Sequence, residues 1–526
     1  MSQKFLGYPK LMGYVAGAFV IVGLIAGCAG LSQMSGSTPD PSPTPAGTSP
    51  AGYLTWKNGN QRTGLQPNET VLTPTNVNST QFGEKFSVPL DGWTFAQPLY
   101  VAGLTIAGAK HNVVFVATEH ASVYAFDADA AGPPLWKKSF LGPGITTVQT
   151  AVNPLIPVQP EVGITATPVI DANSGTIYAL AQTVENGVFM SKLHALDIIS
   201  GTERPGSPAV LSDPQFVDKQ EFERCALLLA NGNVYTAFAS YGDIQPYKGF
   251  IFAFNASTMA KVAVWNVVPT GSEGGIWMGA AGPAADANGN IFVAVGNGTW
   301  DGVNNFGQSV VKLDPVLHVM DYFAPFNANQ LNTGDLDLGA GGVLLVPDQP
   351  GAFPHEAVVC GKNEPIFVLN RDNLGKKGDT DNNQIIQSVH DQLGGPGLQG
   401  ADHCFTTAAF FNQTLYFIGN NDVIKAFSLD GSSGKLSLVP TSKGSFIFPF
   451  PGGQAVVSSN GTSNGIVWAV DFNFAGSLHA FDATDVSREL FRSPSIGQPA
   501  KWAVPTVING KVYVATKSQL VVFGLK

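Results

Sequence analysis

The chain has 526 residues and a formal net charge of −10, with only 13% of its residues charged. A pI near 5.2 and the lack of any Lys/Arg cluster exclude a surface that tracks nucleic-acid phosphates. With 60 Gly, 36 Pro and no long run of helical period, the composition points to many short strands and turns.

At the start, Lys4 and Lys10 precede an apolar run from Leu11 to Gly27, the order expected of an export signal. The run is at the short limit for an uncleaved membrane anchor. Ile25-Ala26-Gly27-Cys28 resembles the bacterial lipobox, which implies cleavage after residue 27 and lipidation of Cys28. The expected location is the cell envelope, with the protein lipid-anchored on the periplasmic or extracellular side of a bacterial membrane. Residues 28–52, rich in Ser, Thr, Pro and Gly, cannot build a core and read as a tether.

From residue 53 to 526 one pattern recurs eight times: aliphatic or aromatic residues, a small, apolar or Lys residue, Phe or Leu, then Asp or a stand-in. Val123-Tyr124-Ala125-Phe126-Asp127 and Leu193-His194-Ala195-Leu196-Asp197 are two copies; the others end at Asn255, Asp314, Asn370, Ser428, Asp482 and Gly524. Two further strand-like runs and turn formers such as Asn509-Gly510 precede each copy, and an aromatic often follows, as at Trp136 and Trp265. Four short antiparallel strands per repeat predict an all-β, eight-bladed β-propeller. The last repeat stops after its third strand, so a strand from Phe82 to Val88 is expected to complete it and close the ring.

Cys225, Cys360 and Cys404 remain beyond the leader. Cys360, within Val358-Val359-Cys360, reads as a small buried apolar residue; a bridge between Cys225 and Cys404 is left open. No nucleophile elbow, phosphate loop or HExxH motif is present. Asp379-Thr380-Asp381 begins like a calcium loop but lacks its Gly and Glu, and Asp402-His403-Cys404 reads as structural.

Gly274-Gly275-Ile276-Trp277, Val295-Gly296-Asn297-Gly298, Asp335-Leu336-Asp337 and Gly361-Lys362-Asn363 together resemble the pyrroloquinoline-quinone (PQQ) repeat of the quinoprotein alcohol dehydrogenase-like propellers. The resemblance is strongest from 274 to 375. It implies Trp277 as the floor under the quinone and Lys362 as the basic contact to its oxygens. It also implies Asp337 or Asp335 as the catalytic carboxylate, and Glu185, Asn297 and Asp337 as calcium ligands. Calcium takes hard oxygen ligands, and an Asp placed beside an alcohol can accept its proton. The adjacent cysteine pair frequent in those dehydrogenases is absent. Two functions follow as expectations. One is an exported PQQ- and calcium-dependent dehydrogenase of an alcohol or sugar. The other is a non-catalytic envelope scaffold with a protein partner, similar to the lipoprotein of the barrel-assembly machinery.

Overall fold

The computed structural model describes residues 52–149, 158–363, 365–396 and 402–526. The leader, Cys28 and the tether lie outside them, so the lipidation and export expectations fall on residues that are not described.

The described residues form eight small, mainly antiparallel sheets, the eight blades expected from the repeats. Blade 3 shows the pattern: Leu228–Ala230 innermost, then Asn233–Ser240, Phe250–Asn255 and Lys261–Asn266 outward. The Asp or Asn that ends each repeat motif has a local job. Asp127, Asp197, Asn255, Asp314, Asn370 and Asp482 each accept a hydrogen bond from the backbone N–H two residues on, which shapes the turn into the fourth strand.

The blades are tied to one another by a second recurring bond. Tyr178, Tyr235, Tyr416 and Tyr513 sit on second strands and donate their hydroxyls to the carbonyls of Ala256, Pro315, Ala483 and Ala128. Each acceptor directly follows the motif of the next blade, so at these four junctions a phenol holds two blades in register. The apolar core lies in the layers between blades.

Closure is as the sequence predicts. Phe82–Pro89 pairs antiparallel with Gln519–Leu525, the third strand of blade 8, with Phe82 opposite Leu525 and Pro89 opposite Gln519. Phe82 is fully buried against Trp468, Phe491 and Phe523, at ring distances of 5.6, 5.0 and 6.1 Å. Across the junction Thr506 of blade 8 donates to Pro98 O at 2.5 Å, and Gln97 donates to Pro505 O at 3.0 Å.

The sequence gives no warning of what residues 52–69 do. They run around one end of the central channel and meet the blades in order. Tyr53 pairs with Tyr100 of blade 1, and Leu54 O accepts from Ile170 N–H of blade 2. Asn60 donates its amide to Leu229 O of blade 3, and its carbonyl accepts from Ala285 N–H of blade 4. Gln61, Thr63 and Gly64 carbonyls then accept from Leu345, Phe410 and Val457 of blades 5, 6 and 7. Glu69 finally accepts from Gly510 N–H of blade 8. Within this strap Lys57 and Arg62 are fully buried. The Lys57 ammonium donates to Thr407 O and Ala408 O at 2.6 and 3.0 Å, and Arg62 donates to Pro283 O and Leu227 O. Burial holds the Lys57 amine well below its ordinary pKa.

One reading of the cysteines is corrected. Cys360 is bonded to Cys404, 44 residues away, joining the second strand of blade 5 to the segment before blade 6. Cys225 is the free, buried thiol among the described cysteines.

Phe82→Ala should cost about 3–5 kcal/mol, because it empties a closed aromatic pocket at the ring junction; denaturant unfolding against the parent measures it. A second test concerns Glu119, buried between blades 1 and 2 beside Gly163 N–H and Thr165. Burial raises its pKa from 4.5 to about 8, so the folded protein keeps a proton that the unfolded chain releases. Stability should therefore fall as pH rises from 4.5 toward 8. Glu119→Gln should flatten that slope and raise the thermal midpoint at pH 8.

Candidate functional site

The strap meets the inner strands of blades 1 to 7 at their second residues, and the mouth of the channel lies ahead of where those strands begin. Arg224, Ala340, Phe405 and Trp502 stand at one register, just ahead of inner strands that begin at Leu228, Leu344, Ala409 and Thr506. They line a cavity of about 200 Å³ with Gly242, Asp243, Trp277, Lys362, Phe450 and Lys501. Asp337 completes the lining. The strap shuts the far end, so this is a blind funnel.

Second strands run back from the strap to the mouth, and their exits deliver the polar groups. Ile291–Ala294 leads into Val295-Gly296-Asn297, and Glu356–Cys360 leads into Gly361-Lys362. Asp337 lies on the loop between blades 4 and 5, and Trp277 on the loop between blades 3 and 4. The glycines are steric necessities. A Cβ on Gly296 would stand 2.4 Å from Asp337 Oδ1 and 2.7 Å from Trp277 Cδ1.

The contacts among these groups are dense. Asp337 Oδ1 accepts from Asn297 N–H at 2.6 Å, while Oδ2 faces the Lys362 ammonium at 2.7 Å. Lys362 also donates to Asp335 Oδ1 at 3.0 Å, and the Asn297 amide donates to the same oxygen at 2.7 Å. Buried Gln308 locks the arrangement by donating to Asn297 Oδ1 and accepting from Leu338 N–H. Burial alone would lower the Lys362 pKa, but Asp337 and Asp335 outweigh it and hold it above its ordinary value. Asp335 itself is 74% exposed, whereas Asp337 is 8% exposed.

The structure thus brings Trp277, Asn297, Asp335, Asp337 and Lys362 together. Glu185 is elsewhere: it ends the long hairpin of blade 2, clamped by Lys192 at 2.6 Å through both carboxylate oxygens. The carboxylate that joins Asp337 at the cavity is Asp243, at the matching second-strand exit of blade 3. Burial first, then the nearby Asp337, raises the Asp243 pKa, and Tyr247 donates to it at 3.2 Å. Sequence reading also misses Arg224, Lys501, Trp502, Phe405 and Phe450. Their shared place just ahead of the inner strands is the signal that would have found most of them.

As a calcium site this set is poorly suited. Among the described residues no group of three or more His, Cys, Asp or Glu side chains converges. The Lys362 ammonium already sits between Asp337 and Asp335, and both ends of the Asn297 amide are engaged. A planar organic anion fits better, between aromatic walls and the cations Arg224, Lys362 and Lys501.

Known structures share this architecture. Quinohemoprotein alcohol dehydrogenase from Comamonas testosteroni superposes with a TM-score of 0.64 at 14% identity, over 90% of this chain and 80% of that one. The shared feature is the eight-bladed propeller fold. A europium-containing methanol dehydrogenase gives a TM-score of 0.60 at 13% identity, over 91% and 99% of the two chains. BamB from Moraxella catarrhalis gives 0.49 at 14% identity, over 85% and 98%. No protein-family model and no curated protein matches the sequence.

Gly296→Ala should lower the thermal midpoint by several degrees, because at this buried position the new Cβ would collide with Asp337 Oδ1 and Trp277 Cδ1; thermal unfolding against the parent measures it.

Proposed function

We propose that this propeller is quinoprotein-like and that its funnel binds a planar aromatic polycarboxylate of the PQQ class for oxidation of an alcohol or sugar. The observation that carries the reading is the meeting of Trp277, Asp337 and Lys362, with Asp243, at one mouth of the channel. Bound there, such a quinone would supply a two-electron acceptor.

The chain's own groups have distinct tasks. Trp277 offers an aromatic wall. Asp337 is held by Asn297 N–H and Lys362, and takes the proton of a substrate hydroxyl. Lys362 stabilises negative charge that develops on an acceptor oxygen beside it. Exposed Asp335 orients Lys362 and Asn297 and is a positioning residue. No step is routed through a metal.

The setting we propose is the cell envelope, with Cys28 lipidated. The Cys360–Cys404 bond suits an oxidising compartment. The second reading, a non-catalytic envelope propeller with a protein partner, draws support from one feature: Lys362 already neutralises Asp337, which weakens it as a base.

Fluorescence titration with PQQ, with and without added calcium, tests the proposal. Saturable binding is expected, weakened about tenfold or more by Trp277→Ala. Asp337→Asn should spare binding but abolish dye reduction with alcohols or sugars, because geometry is kept and proton acceptance is lost. No binding at high micromolar quinone would leave only the scaffold.

A further inference from the structure

Two cations in the funnel have no hydrogen-bond or ion-pair partner among the described residues. Arg224 lines the cavity and is only 7% exposed, yet its guanidinium has no hydrogen-bond or ion-pair partner among the described residues. It lies instead against two rings, 4.4 Å from Trp502 and 5.3 Å from Trp277. Half-buried Lys501 also lacks such a partner, with its ammonium 4.8 Å from Phe450 and 5.9 Å from Trp502. Deeply buried cations elsewhere have partners: Lys57 and Arg62 donate to backbone carbonyls, and one end of the Arg371 guanidinium to Val346 O and Asp348. Lys362, across the same cavity, is saturated by two carboxylates. An ionised group taken out of water without a partner is costly. Ring faces return only part of that cost.

The backbone tells the same story. Trp502 is 8% exposed and held at φ +60°, a left-handed conformation that costs a bulky residue of order 1–3 kcal/mol and tends to occur at ligand clamps. Its indole N–H also lacks a partner among the described residues.

We propose that Arg224 and Lys501 form an oxyanion subsite that takes the carboxylate of an aromatic acid. The guanidinium supplies planar paired donors that match a carboxylate, and Trp502, Phe405 and Phe450 give the ring an apolar bed. The lining carries the cations Arg224, Lys362 and Lys501 against the carboxylates Asp243 and Asp337, an excess of positive charge that favours an anion, and the apolar bed favours an aromatic acid over inorganic phosphate. This subsite shares the funnel with the quinone reading but needs neither quinone nor metal.

Calorimetric titration of the protein, free of quinone and calcium, with benzoate, benzamide and inorganic phosphate tests it. Benzoate should bind, and benzamide and phosphate should bind about tenfold or more weakly. Arg224→Gln and Lys501→Gln should each weaken benzoate about tenfold or more while leaving the thermal midpoint of the free protein unchanged or raised. Should Arg224→Gln fail to fold, Lys501→Gln and the benzoate–benzamide comparison still decide. Equal affinity for benzoate and benzamide, or undiminished benzoate binding in both variants, overturns the subsite. Benzoate binding without quinone binding removes the quinone reading alone, and quinone binding unweakened in both variants without benzoate binding removes the subsite alone.

Discussion

Eight inner strands arranged around one channel each turn an unpaired edge inward, and those N–H and C=O groups cannot be left dry and unmet. Residues 52–69 meet this constraint blade by blade. The N–H groups of Ile170, Ala285, Leu345, Phe410 and Val457 all donate to successive carbonyls of one strap. A strap that serves every blade must lie across the channel, so it closes that end. Ligand space survives only at the opposite mouth, where the inner strands begin. The position of the cavity is thus a consequence of how the backbone of the ring is satisfied.

The same economy governs the periphery. Each junction needs a tie that does not depend on sheet hydrogen bonds, since those run within blades. Buried tyrosines donate to the carbonyl after the neighbouring motif, and the motif's Asp or Asn fixes the turn that presents that carbonyl. Where the last blade lacks a strand, Phe82–Pro89 supplies it, bringing Phe82 into an aromatic cluster from blades 7 and 8.

The blades and the closing strand were legible because both are local patterns repeated at similar spacing. The Asp of the motif was readable as a marker before its Asx-turn role was known. Trp277, Asn297, Asp337 and Lys362 were readable because glycines flank most of them, and glycines are needed where a backbone passes within 2.4 Å of a would-be Cβ, as Asp337 O does at Gly361. The resemblance implies Glu185 in the site because it precedes the Leu193–Asp197 motif much as the family's calcium-binding Glu precedes its own repeat ending. The hairpin of blade 2 carries it away, and Asp243 fills the equivalent exit one blade on. Arg224, Lys501 and Trp502 stand in irregular segments, where neither periodicity nor turn chemistry marks them. The Cys360–Cys404 pairing depends on two blades meeting, and spacing carries no information about that. The strap was invisible for a related reason: its partners are backbone atoms, which sequence does not distinguish.

The funnel holds its charges in two different states, and the difference bears on function. On blades 4 and 5 every charge is engaged: Lys362 with Asp335 and Asp337, Asn297 with Asp335 and Gln308. Such a network is stiff and sets the direction of the Asp337 carboxylate before any ligand arrives. On blades 3 and 8, Arg224 and Lys501 lie against rings without a hydrogen-bond or ion-pair partner among the described residues. Burial first lowers both pKa values; Cys225, Asp243 and Asp337 oppose it for Arg224, and Arg224 and Lys517 add to it for Lys501. Asp243, on the same lining, accepts from Tyr247 rather than from either cation. Keeping them apart leaves a rigid, neutralised wall opposite a reactive, cationic one. A ligand that enters with its anionic end toward Arg224 then presents its other end to Asp337, so the uneven charge orients whatever the funnel binds.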